Sequence, residues 1–127
     1  MCATEQIRDE LLALLARGRR DSCVLVEEPT SRKFVQFGPG TLTLDLPLAA
    51  LTTDEADRAY QFFRELGDGL ARQYEVPDVV KTGKTNYGAT LRHDFGTDAH
   101  AAARAAVAVF TEVYGLPADS ELTIQET

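Results

Sequence analysis

Residues 21 to 46, DSCVLVEEPTSRKFVQFGPGTLTLDL, constrain the fold of this chain more than any other stretch. Runs of alternating, β-favouring residues are broken at Pro29-Thr30-Ser31 and at Gly38-Pro39-Gly40, which is the sequence form of two short hairpin loops. The stretch therefore predicts a three-stranded antiparallel meander with the remainder packed against it. If each loop pairs its flanking residues, Glu28 lies opposite Arg32 and Phe37 opposite Thr41, and the register follows two residues at a time. That register gives a core face of Val24, Val26, Phe34, Leu42, Leu44 and Leu46, with Gln36 the polar interruption. The other face carries Cys23, Leu25, Glu27, Lys33, Val35, Phe37, Thr41, Thr43 and Asp45, and it sets Lys33 between Glu27 and Asp45. Opposite charges directly across strands favour such a pairing by roughly 0.2–1 kcal/mol each. Leu25, Val35 and Phe37 then make an apolar patch on a face that is otherwise polar. Such patches belong to subunit contacts, ligand grooves or a second core layer.

What can pack against the meander is bounded by the chain's length and charge. At 127 residues it is read as a single domain, 1–127, long enough to bury roughly two thirds of its unfolded surface without disulfides. Thirteen Lys and Arg against twenty Asp and Glu give a net charge of −7, which repels a phosphate backbone and argues against nucleic acid as a partner. A basic or amphipathic protein segment would be attracted. Cys2 and Cys23 lack the close spacing of a metal site or a redox pair and are read as reduced thiols. The apolar run Leu11 to Leu15 is too short for a membrane span or a signal peptide, so the expected location is the cytoplasm.

Three helices are expected around the strands. Thr4 can cap a first helix through Arg17, with Ile7, Leu11, Leu14 and Leu15 on one face, Leu12 widening the stripe and Gly18 as the stop. Arg17, Arg19 and Arg20 at its end offset the negative pole of the helix dipole or bind an anion. Pro47 then ends strand pairing, and Thr52 with Glu55 has the spacing of a capping box. The second helix presents Ala56, Ala59, Tyr60, Phe63, Leu66 and Leu70, and ends near Leu66 or continues, distorted by Gly67 and Gly69, to about Tyr74. Thr97 or Asp98 caps the last helix, which stops at Gly115. Its face of Ala99, Ala103, Ala106, Val107, Phe110, Val113 and Tyr114 permits close approach to a sheet or a helix, and so offers a second subunit contact.

Two motifs tempt a catalytic reading. Gly83-Lys84-Thr85 matches the end of a phosphate-binding loop, but the required upstream glycine is Asp78 and no helix follows. His93 and Asp94 are adjacent in a strand predicted over Tyr87 to Phe95, where neighbours point to opposite faces. No third ligand stands at metal-binding spacing. No catalytic residue, cofactor or metal site is therefore assigned, and His93 is read as a histidine at the edge of the core.

The order helix, three strands, helix, strand or strand pair, helix, with a possible terminal strand at Leu122 to Gln125, predicts an α+β fold: an antiparallel sheet with helices mostly on one face. The helix and meander containing Phe34-Val35-Gln36-Phe37 and Leu42-Thr43-Leu44-Asp45-Leu46-Pro47, the second helix, and the ending Val113-Tyr114-Gly115-Leu116-Pro117 resemble the superfamily of type III secretion chaperones and the related YbjN-like peptide-binding chaperones of bacteria. That resemblance implies a non-catalytic, commonly dimeric domain that holds an extended or partly unfolded segment of another protein. On this reading Leu25, Glu27, Val35, Phe37 and Asp45 form the client surface, and the meander edge accepts a client strand. A regulatory or scaffold domain acting through self-association is the alternative, and a small enzyme using His93 and Asp94 a third.

Overall fold

The computed structural model describes residues 3–18, 21–38, 40–66 and 90–126. Helix α1 (Ala3–Arg17) precedes the meander β1 (Val24–Glu28), β2 (Lys33–Phe37) and β3 (Thr43–Pro47). A short 3-10 turn, Leu48–Ala50, leads to α2 (Thr53–Leu66), followed by β4 (Thr90–Asp94), α3 (Ala99–Ala108) with a π-helical turn Val109–Val113, and β5 (Thr123–Glu126). The strands form one antiparallel sheet in the order β4-β3-β2-β1-β5. The fold is α+β, with the helices packed on one face of the sheet.

Local chemistry accounts for the helix boundaries. Gly18 ends α1 at a positive φ of 64°, a conformation that glycine adopts without steric cost. Thr52 and Glu55 close a reciprocal capping box, with the Thr52 amide donating to Glu55 Oε1 (2.9 Å) and the Glu55 amide to Thr52 Oγ1 (3.2 Å). Asp98 caps α3 by accepting from the Ala101 amide. At the far end the Tyr114 amide donates to Val109 O and the Leu116 amide to Phe110 O. The last turn is thus one residue wider than an α-turn, and Arg58 Nε satisfies the loose Val113 carbonyl at 2.8 Å.

The meander carries the main correction to the sequence reading. Glu28 pairs with Lys33, not Arg32, because the first loop takes four residues, with Arg32 in the left-handed region at φ 65°. The Glu28 carboxylate holds that loop by accepting from the amides of Thr30 (2.9 Å) and Ser31 (2.8 Å). Phe37 pairs with Leu44, not Thr41. The second connection is longer because it is tied back to the chain before β1, with Gly40 N donating to Ser22 O at 2.7 Å. A side chain at Gly38 would meet that same carbonyl at 2.9 Å.

Both register errors are odd, so they cancel for β3 and invert only β2. Val24, Val26, Leu42, Leu44 and Leu46 are fully buried, as expected, but their companions on β2 are Val35 and Phe37, also fully buried. Phe34 and Gln36 turn to the other face.

Both meander edges are occupied, because β4 pairs with β3 and β5 with β1. A client strand therefore cannot add to the meander itself. Under the sheet, Ile7, Leu11 and Leu14 of α1, Ala59 and Phe63 of α2, and the alanines of α3 complete the core. The small face of α3 packs largely on α1, so the subunit contact expected of those alanines is made within the chain. Leu12 does not widen the α1 stripe; it is 48% exposed. Leu70, the Gly83-Lys84-Thr85 segment and the Tyr87 end of the expected fourth strand lie outside the described residues.

Candidate functional site

With the helices on one face, the outer face of the sheet offers apolar side chains between polar ones. Its centre is the diagonal pair Leu25 and Phe34: Leu25 stands opposite Gln36, and Phe34 opposite Glu27. Diagonal neighbours lie within reach of an aromatic ring. Both side chains are partly exposed. Of the five residues expected to form the client surface, Leu25, Glu27 and Asp45 lie on this face, whereas Val35 and Phe37 lie in the core. Phe34 and Gln36 take their places, for the reason of register given above.

Polar groups on either side fix this surface. Glu27 forms an ion pair with Arg32 at 3.0 Å. Asp45 accepts from the Thr90 hydroxyl and from Gln36 Nε2 (3.3 Å), and stands 3.7 Å from the guanidinium of Arg92. That network ties β2, β3 and β4 together across the face and leaves Asp45 buried. Its carboxylate is structural in this arrangement, because its hydrogen-bonding capacity is taken up by neighbouring strands.

Lys33, expected between Glu27 and Asp45, instead points to the helix side and pairs with Glu55 of the capping box. Burial opposes ionisation of Glu55 most strongly, but the Lys33 ammonium and the Thr52 amide together hold its carboxyl below the usual value. The Lys33 ammonium also lies 5.1 Å from the centre of the Tyr114 ring. Burial pushes the Tyr114 hydroxyl well up, with Glu55 acting in the same direction. Kept protonated, it donates to the Phe34 carbonyl at 2.5 Å. The β2–β3 pairing covers Gln36 with Asp45 and Phe37 with Leu44, and Phe34 lies beyond it on β2. Tyr114 thus anchors the backbone beneath the outward Phe34 ring from the helix side.

β4 separates the two groups of the enzymatic reading. His93 stands opposite Leu44 on the core side, with its ring 4.6 Å from that of Phe95 and its Nδ1 buried. Burial lowers its pKa, against a smaller opposing pull from Asp94. Asp94 faces outward and accepts from the Gly96 amide at 2.8 Å. Among the described residues, no three His, Cys, Asp or Glu side chains cluster closely enough to hold a metal ion, and no helix is long and apolar enough to cross a membrane.

Arg17 pairs with Glu126 of β5. This fastens the last strand to the end of α1 and takes the arginine out of an anion site. Arg19 and Arg20 lie outside the described residues.

Comparison with known proteins returns no match: no family model, no curated protein and no solved structure aligns with the chain.

Two site residues were misread from sequence, Phe34 and Gln36. One signal pointed to them. Gln36 placed in the core would need a buried hydrogen-bond partner, whereas turned outward it reaches Asp45.

Proposed function

We propose that this is a non-catalytic, chaperone-like binding domain, which holds an apolar segment of a partner protein against the outer face of its sheet. One observation carries the reading: Leu25 and Phe34 stand partly exposed at the centre of the sheet face opposite the helices. Apolar side chains in the middle of a sheet, ringed by ion-paired and hydrogen-bonded polar groups, have the make-up of an interface centre with a polar rim. The resemblance of the meander and its flanking helices to secretion chaperones and their YbjN-like relatives supports the same role. The net charge of −7 favours a client with basic residues beside its apolar ones.

The client surface on this reading is Leu25, Phe34, Glu27 and Gln36, with Asp45 and Arg92 as the polar floor. An array of immobilised peptides that combine apolar and basic residues, probed with the intact protein, tests it. Binding to a subset of these peptides, lost in Leu25→Ser/Phe34→Ser with the unfolding midpoint little changed, is the expected result. Binding unaffected by that double substitution would overturn the assignment of the face. A wild-type protein that binds neither the peptides nor a dye for exposed apolar surface would favour the scaffold reading instead.

A further inference from the structure

The π-helical turn Val109–Val113 packs against α2, whereas α3 lies along α1. The space left between α2 and α3 is an open hollow of about 280 Å³, lined by Phe62, Leu66, Phe95, Ala101, Ala108 and Arg104. Its aromatic walls are held from behind: the Phe62 ring meets the fully buried Phe63 edge-on at 5.8 Å, and the Phe95 ring meets His93 at 4.6 Å. The α3 wall is low, because Ala101 and Ala108 lie on one stripe, two turns apart, and contribute only methyl groups. Walls fixed by packing, with little side chain to displace, have the form of a preformed ligand site.

The charges around the hollow are one-sided. Arg104 is the charged group of the lining, and it enters no ion pair among the described residues. α3 contains no acid. Phe62 is also a wall of a second hollow of about 150 Å³, lined by Arg58, Gln61, Glu65 and Glu112. There Arg58 is held by the Val113 carbonyl, and Glu65 accepts from Gln61 Nε2 at 3.0 Å. An anionic group would therefore meet carboxylates beyond Phe62 and a guanidinium at the α3 rim. The net charge of −7 opposes anions at long range, but at physiological ionic strength that field is screened within about 8 Å. The group at the rim decides.

We infer that the hollow binds a small monocarboxylic acid with an apolar body, of the medium-chain alkyl or arylalkyl type. The apolar body lies against Phe62, Leu66 and Phe95, and the carboxylate pairs with Arg104. At roughly 30 Å³ for each water-sized group, the volume suits an acid of about ten non-hydrogen atoms. The site lies on the helix side, away from Leu25 and Phe34, and does not rest on the proposed client.

Isothermal titration calorimetry of the full chain with octanoate and with 4-phenylbutyrate, both below their micellar concentrations, tests it. One-to-one binding of at least one acid is expected, with a dissociation constant below about 1 mM. Tighter binding of octanoate identifies the alkyl acids as the class, and tighter binding of 4-phenylbutyrate the aryl acids. Arg104→Gln should weaken the bound acid by about tenfold, while octan-1-ol, which has no charge, binds as to the wild type. Ala101→Leu/Ala108→Leu fills the hollow and should abolish binding of acid and alcohol alike. These positions are exposed or partly exposed, so matched circular dichroism spectra and unfolding midpoints are expected. Leu25→Ser/Phe34→Ser should leave acid binding unchanged. A wild type that takes neither acid, even one that binds an acidic leucine-rich peptide there instead, would overturn the inference. Acid binding that survives Ala101→Leu/Ala108→Leu would remove it from the hollow, and equal acid affinities in wild type and Arg104→Gln would overturn the choice of a carboxylate.

Discussion

Phe34 and Phe37 stand on the same five-residue strand, three positions apart, one on each face of the sheet. Phe37 is fully buried between β1 and β3, opposite Val24 and Leu44, over the helices. Phe34 lies partly exposed beside Leu25, with its backbone rather than its ring tied to the helix layer through Tyr114. Two rings of one residue type thus serve packing and display, and hydrophobicity does not decide which does which. Parity does, and parity is set by the number of residues in the loop between β1 and β2.

The contrast is broken most severely from the inside. Phe37→Ala is expected to destabilise the fold by about 3–5 kcal/mol, through lost burial and the cavity left behind, as measured by denaturant unfolding. Lys33→Ala comes next. It leaves the nearly buried Glu55 carboxylate without its cation, and a loss of about 1–3 kcal/mol is expected by the same measurement. Lys33→Arg should restore part of it.

Acid should act on the same inner pair. The folded-state carboxyls of Glu55 and Glu28 are held below their unfolded value of 4.5. A depressed carboxyl contributes stability that is whole above the unfolded value and is lost as the pH falls through the lower folded value. The unfolding midpoint should therefore fall below about pH 4.5, and Glu55→Gln should flatten that fall while lowering the midpoint at neutral pH. His93 acts in the same sense at higher pH. Its folded pKa lies below 6.5, so the unfolded chain takes up the proton first, and stability begins to decline as the pH drops below that value.

The outer face should respond weakly. Phe34→Ser is expected to cost less than about 1 kcal/mol, a fraction of the Phe37→Ala effect, while removing peptide binding. The smallest change falls in the loop that sets the parity. Arg32→Gly relieves a side chain held at φ 65° and gives up an exposed ion pair with Glu27. The two terms leave a net stabilisation of up to about 1 kcal/mol, readable as a small rise in thermal midpoint with peptide binding unchanged.

The sequence made legible whatever is decided within a few residues. The capping box at Thr52 and Glu55, the stops at Gly18 and Gly115, and the inward stripes of Ile7, Leu11, Leu14, Ala59 and Phe63 follow from helical spacing and local hydrogen-bond chemistry. The core faces of β1 and β3 follow from alternation. β2 was not legible in the same way, because KFVQF carries a phenylalanine on each face and its phase depends on two loops. Nothing in Arg32 announces a left-handed residue. The longer second loop depends on Gly40 reaching Ser22, a contact that alternation within the strands does not encode. The roles of Lys33 and Asp45 went astray with the register: Lys33 finds Glu55 across the helix interface, and Asp45 is met by Thr90 and Arg92 from a strand far along the chain.

The most direct test of this inside-out assignment is thiol labelling of single cysteines at positions 34 and 35, in a background with Cys2→Ser and Cys23→Ser. Under native conditions Phe34→Cys should react with a soluble maleimide at close to the rate of the unfolded chain, and Val35→Cys should be protected until the protein unfolds globally. Rapid labelling at position 35 with protection at 34 would return Val35 and Phe37 to the outer face and remove the basis for the binding surface proposed for this protein.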